Sequence, residues 1–296
     1  MKPVLFSVSY AGLWGQDALA VEEFVSHAAA MGYEGVELMA KRPHVSPLDW
    51  SLERCAGLAE VCAEAGIDVD CMAAYTNFTG GAEAGEVPFG EMQIAYIERL
   101  AQMAEVLGCG LVRVFTSYER EDMPIAEVWR RTVAGLQECC DRASEFGVTI
   151  GVQNHHDLAV HSKALLELLG DVDRENCGLM FDPWSVCLRG EDPAAAAREM
   201  APHAVYTTLA DYVRLPRYQY RPELINYLPM PVDLARAVPI GEGDMANVEF
   251  VRALREGGFD GPIAYEMCSP VRGGGSRENL DHCARRFLAW MDENGL

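Results

Sequence analysis

One phrase recurs along this chain: a helix-like stretch ends at glycine, and a β-rich run begins within a few residues. It occurs at Ala30-Met31-Gly32 before Gly35-Val36-Glu37-Leu38, at Glu64-Ala65-Gly66 before Ile67-Asp68-Val69, and at Val106-Leu107-Gly108 before Leu111-Val112-Arg113-Val114. It returns at Glu145-Phe146-Gly147 before Val148-Thr149-Ile150, and at Glu256-Gly257-Gly258 before Ile263-Ala264-Tyr265-Glu266. Glycine adopts the left-handed conformation that closes a helix without steric cost, so each instance marks a helix-to-strand junction. Further β-rich runs from Val4 to Ser9, Gly178 to Asp182 and Ala204 to Leu209 bring the predicted strands to eight, with helical segments between them. Eight such units predict a closed (β/α)8 TIM barrel occupying residues 1–296 as a single domain.

The helical segments read as amphipathic: Val21, Phe24, Val25 and Ala28 repeat at the spacing of one helix face. Ser46-Pro47-Leu48-Asp49 has the form of a capping box with proline at the first helical position, and Asp192-Pro193 repeats that start signal. A doubly wound open sheet would need a glycine-rich phosphate loop after the first strand, and none follows it here.

Of the 296 residues, 45 are acidic and 24 basic, a formal charge of -21 that would repel a phosphate backbone, so no nucleic-acid partner is expected. No run approaches the length of a membrane span and the amino terminus carries no signal-like apolar stretch, so a cytoplasmic, membrane-free protein is expected. The ten cysteines are scattered without a CxxC pair and read as reduced thiols, with Cys139-Cys140 as small core-facing residues.

In the fifth predicted strand, Val148, Ile150 and Val152 alternate with Thr149, Gly151, Gln153 and His155, placing the second set toward the barrel lumen. Polar residues gather at the carboxyl ends of several predicted strands: Glu37, Asn77, Arg113, Gln153 with Asn154-His155-His156, Asp182, Thr208 with Asp211, and Glu266. Barrel stability requires no polar residue at so many such positions, and barrel enzymes keep their chemistry there.

Two longer stretches, Ala237-Val238-Pro239-Ile240-Gly241-Glu242-Gly243 and Gly261-Pro262-Ile263-Ala264-Tyr265-Glu266, together with Phe181-Asp182-Pro183 and Gln153-Asn154-His155, resemble the xylose isomerase-like barrel family. That family comprises sugar phosphate isomerases and epimerases and the family 2 AP endonucleases. The resemblance implies a divalent metal, Mn2+ or Mg2+, held by residues on strands 5, 6, 7 and 8. Carried over, those positions are Gln153, Asp182, Thr208 and Glu266, with Gln153, Asp182 and Glu266 the candidate ligands. Gln153 and Thr208 replace the family's carboxylate and imidazole, which should weaken metal affinity.

The implied activity is that of a sugar isomerase, epimerase or lyase that removes a proton beside a carbonyl. Glu266 is the candidate base and the His155-His156 pair a second candidate proton carrier. Because Gln153 cannot accept a proton, a one-base isomerisation or an elimination suits the set better than a two-base epimerisation. Glu37, Asn77, Arg113, Gln153, Thr208 and Arg272 are candidate contacts for a small sugar-like substrate, and Trp14 or Trp184 for a sugar face. Arg272-Gly273-Gly274-Gly275-Ser276 reads as a mobile or ligand-approaching loop. The alternative is a catalytically altered barrel that binds a carbohydrate or assists an oxidoreductase partner. A homo-oligomer is compatible with either.

Overall fold

The chain was described from a computed structural model covering residues 1–80, 86–268 and 270–296. Eight parallel strands close into a barrel: β1 (Lys2–Phe6), β2 (Gly35–Met39), β3 (Asp68–Ala73), β4 (Leu111–Val114), β5 (Thr149–Gln153), β6 (Cys177–Met180), β7 (Ala204–Leu209) and β12 (Pro262–Tyr265), with β12 pairing to β1. The helices α1 (Val21–Met31), α2 (Leu52–Ala65), α3 (Phe89–Val106), α4 (Ile125–Ser144), α5 (Ser162–Val172), α6 (Pro183–Arg189), α7 (Pro193–Met200), α8 (Asn247–Glu256) and α9 (Arg277–Asn294) connect them.

Side-chain alternation divides each strand between two environments. Leu5, Val36, Met72, Val112, Ile150, Val152, Leu179 and Ile263 join the helices in one continuous outer core. Val4, Cys71, Leu111, Met180, Tyr206 and Ala264 form a separate cluster inside the lumen. Gly151 belongs to that inner layer, because a Cβ there would press on Leu111 and Met180. The next inward position on the last five barrel strands is polar: Arg113, Gln153, Asp182, Thr208 and Glu266 stand at or just beyond the strand ends. The two-residue period that buries an apolar plug at the bottom of the barrel therefore lifts a polar layer to its carboxyl end.

Several predicted junctions form as read. Gly32 and Gly66 close α1 and α2 with left-handed backbones, and Asp192 caps α7 at Ala195 N (2.9 Å). The predicted helix start at Ser46 is corrected: Ser46 makes a turn, its carbonyl accepting from Asp49 N and Trp50 N, and α2 begins after Ser51, which caps Arg54 N. The first strand also ends earlier than predicted, with Ser7–Tyr10 as a 3-10 turn whose hydroxyls serve other loops. Ser7 Oγ accepts from Met39 N and Ser9 Oγ from Met267 N. All ten cysteines are free thiols, and Cys139 and Cys140 are fully buried in α4.

One segment was not foreseen. Between β7 and α8 the chain makes an arm of four short strands: β8 (Asp211–Leu215) pairs antiparallel with β11 (Leu234–Val238), and beyond that root β9 (Tyr218–Arg221) pairs with β10 (Asn226–Pro229). Among the described residues, no helix is long and apolar enough to cross a membrane.

Candidate active site

Four of the polar strand ends are tied into one hydrogen-bonded chain. Arg113, only 2% exposed, donates from Nη1 to Gln153 Oε1 (3.1 Å) and from Nη2 to the Ala74 carbonyl (3.1 Å). Gln153 then donates from Nε2 to Asp182 Oδ2 (2.7 Å) and to Thr208 Oγ1 (3.3 Å). The other Asp182 oxygen caps α6 by accepting from Trp184 N (3.0 Å), with Pro183 at the first helical turn. Asn154, whose role the sequence did not reveal, clamps the strand end by exchanging two hydrogen bonds with the Asp182 backbone.

Glu266 stands beside this chain. Burial, followed by the charge of Asp182, pushes its carboxyl up to about 7, against a lowering influence from Arg113. Burial also pushes Asp182 up to about 6. The Cys268 thiol lies 3.7 Å from Glu266 Oε1 and 3.3 Å from the Tyr212 hydroxyl, so a thiol and a phenol back the carboxylate. Glu37 lies fully buried, with Arg113 Nη1 3.9 Å from its Oε1 and no well-formed hydrogen bond to either oxygen. Desolvation pushes it up to about 8, so it is mostly protonated at neutral pH.

His155 and His156 form part of an aromatic wall. His155 stacks on Phe115 at 4.5 Å and tilts toward Trp184 at 6.0 Å, His156 stacks on Tyr118 at 4.1 Å, and Trp184 continues to Tyr212 at 5.4 Å. Burial lowers the two imidazoles to about 3 and about 4, assisted at His155 by His156 and at both by Arg113, so both are neutral at pH 7 and neither arrives as a charged acid. Among the described residues, the buried Trp184 Nε1 has no hydrogen-bond partner.

Two candidate contacts are placed elsewhere. Asn77 spends its Oδ1 on Thr79 N, Thr79 Oγ1 and Tyr118 N, fastening two loops. Arg272 is half exposed and pairs with Glu242 (3.5 Å), with no hydrogen bond or ion pair to Gln153, Asp182 or Glu266. The glycines after it are docked, since Asp17 N donates to Gly275 O (2.7 Å) and a Cβ on Gly275 would meet the Gln16 backbone. Trp14 is 39% exposed at the rim of a separate cavity of about 250 Å3 shared with Arg236 and Gly274. A larger cavity of about 590 Å3 lies between α3 and α4 and contains none of the polar layer.

Alternation could have found what was missed. Lys41 follows Glu37 by four residues and hangs over the Tyr75 ring at 3.7 Å, its ammonium pushed down by burial and by Arg113. Cys268 follows Glu266 by two.

The four positions that correspond to a metal quartet do not fit a divalent ion as arranged. A ligand set must turn lone pairs inward, whereas Gln153 points its N–H at Asp182 and Thr208 and gives its carbonyl to a guanidinium. Among the described residues, no three His, Cys, Asp or Glu side chains group as ligands. Of the expected trio, Gln153 and Asp182 are joined by a hydrogen bond and Glu266 stands beside them.

The model of the xylose isomerase-like TIM barrel family matches residues 25–289, and the chain belongs to that family. An inosose dehydratase from Lacticaseibacillus casei is 26% identical over 139 residues, which are 47% of this chain and 46% of that protein, so the match spans about half of each. Among solved structures, D-psicose 3-epimerase from Clostridium cellulolyticum H10, crystallised with D-tagatose, superposes with a TM-score of 0.73 at 16% identity, covering 99% of both chains. A protein named IOLI, carrying a bound zinc atom, superposes with a TM-score of 0.74 at 18% identity, covering 98% of this chain and 97% of its own. These two likenesses establish a shared fold.

Proposed function

We propose that this member of the xylose isomerase-like family is a lyase of the dehydratase type, acting on a small polyhydroxylated ketone with Glu266 as its single base. The observation that carries the reading is Gln153. Where a second, opposed carboxylate would serve a two-base epimerisation, this chain holds an amide fixed between Arg113 and Asp182.

A one-base elimination needs only what remains. Glu266 takes the proton from the carbon beside the carbonyl, and the C–H electron pair moves into the enolate. Collapse of the enolate breaks the bond to the β-hydroxyl, and Glu266 returns its proton to that departing oxygen on the same face, so one water leaves and the carboxylate is restored. The positive charge of Arg113 offsets the enolate, and a base poised near neutral pH suits both transfers. Phe115, His155 and Trp184 offer flat faces to the ring or chain of the substrate, and Trp184 Nε1 offers an unused donor for one of its oxygens. No step here runs through a metal. The inosose dehydratase relative supports the same reaction class.

The test is turnover in D2O against a panel of inososes, ketohexoses and ketopentoses, read by mass spectrometry. Loss of one water is the expected result. Deuterium gained without loss of water would assign an isomerase or epimerase, and neither change would assign a barrel that binds carbohydrate without transforming it.

A further inference from the structure

Among the described residues, every large apolar side chain that is exposed lies on one side of the molecule, the carboxyl-end face of the barrel. Nine of the sixteen belong to the arm between Leu215 and Leu234, including Tyr218 (63% exposed), Ile225 (84%) and Tyr227 (62%). The other seven sit in β-to-α loops or the first turn of the following helix, such as Trp14, Leu48 and Tyr118. The amino-end face and the outer helix surfaces contribute none. The outer ribbon, β9 with β10, has its principal packing with itself and the short turn that joins its strands, not with the barrel. Nine exposed large apolar side chains on one arm make a patch of the kind that marks an interaction site on a soluble protein.

We infer that the arm is a dimerisation element that seats against the carboxyl-end face of a second copy of this chain, in a two-fold pair. The occupant follows from charge as well as from the apolar patch. Residues 212–237 carry four arginines against Glu223 and Asp233, a net positive arm on a chain whose total charge is -21. The surface that complements an apolar, basic ribbon is an acidic one with apolar side chains of its own; the rest of this chain is strongly acidic in sum and carries the seven other exposed apolar side chains. The arm is also continuous with the candidate site. Its root residue Tyr212 meets Cys268, which meets Glu266, so the seated arm would hold the floor under that carboxylate.

Light scattering on the purified full chain at tens of micromolar tests the inference. The expected mass is twice that of one chain, and an Ile225→Asp, Tyr227→Glu double variant should dissociate on the order of a hundredfold more readily. Because the ribbon packs on itself, the variant should keep the wild-type circular dichroism. Should it misfold, hydrogen exchange on the unmodified protein gives a second reading: amides of residues 218–229 should lose protection on dilution, while those of the barrel strands keep theirs. A wild-type monomer, a dimer that survives in the variant, or ribbon exchange independent of concentration would each overturn the assignment.

Discussion

Gln153 and a glutamate at the same place would leave different chemistry in the mouth of this barrel. The amide uses both of its ends, accepting from Arg113 and donating to Asp182 and Thr208, and so closes a network that a divalent ion would have to break. A Gln153→Glu, Thr208→His double variant returns a carboxylate and an imidazole and removes the N–H that now blocks the centre. Its Mn2+ affinity by calorimetry should rise by at least tenfold over a weak or undetectable wild-type value. Equal, tight binding by both proteins would mean that His155 or His156 already serves the ion. Residue identity was legible here and residue pairing was not. The sequence marks Gln153 and Asp182 as lumen-facing by alternation, but only the fold shows that Arg113 reaches Gln153 and not chiefly Glu37. Asn77 is a related case: a short polar side chain at a strand end satisfies backbone amides as readily as it meets a substrate, and its Oδ1 accepts from Thr79 N and Tyr118 N.

At the scale of elements, glycine-closed helices and two-residue alternation were enough to locate the eight barrel strands, because both depend on local backbone geometry. The arm escaped detection because its strands are only four or five residues long, too short for a periodic contrast to stand out, and because prolines at 216, 222, 229 and 231 read as a loop. Its root is nevertheless fixed by one side chain. Asp211 accepts from Tyr212 N (2.9 Å), Gly241 N (2.8 Å), Gly243 N (3.0 Å) and Met245 N (3.2 Å), gathering the Gly241-Glu242-Gly243 turn that stood out in the sequence. Gly243 is required there because a Cβ would overlap the Asp211 carboxylate. Asp211→Ala should therefore strip four buried or part-buried amides of their acceptor and cost on the order of 3 kcal/mol in chemical denaturation, with Gly243→Ala destabilising in the same direction. Wild-type stability in both variants would show that the turn holds itself.

Across the whole molecule, the apolar plug of Val4, Leu111, Met180 and Tyr206 seals the lower lumen, and the polar layer above it concentrates desolvated carboxyls at one end. Burial raises Glu37, Asp182 and Glu266 by different amounts, and only Glu266 joins a pKa near neutrality to a backing thiol and phenol and to the neighbouring charges of Asp182 and Arg113. That combination makes Glu266 the base in the account given above. The most direct test is the pH dependence of water elimination from the ketone that the wild type turns over, measured for wild type and Glu266→Gln. Because the base must be ionised, wild-type kcat/KM should be low in acid, rise with pH through about 7 and level off above it. The Glu266→Gln variant should retain binding, lose about 10²- to 10⁴-fold in elimination rate and show no inflection near neutrality. Elimination that persists undiminished in Glu266→Gln, with the same inflection, would contradict the assignment and place the base elsewhere in the polar layer.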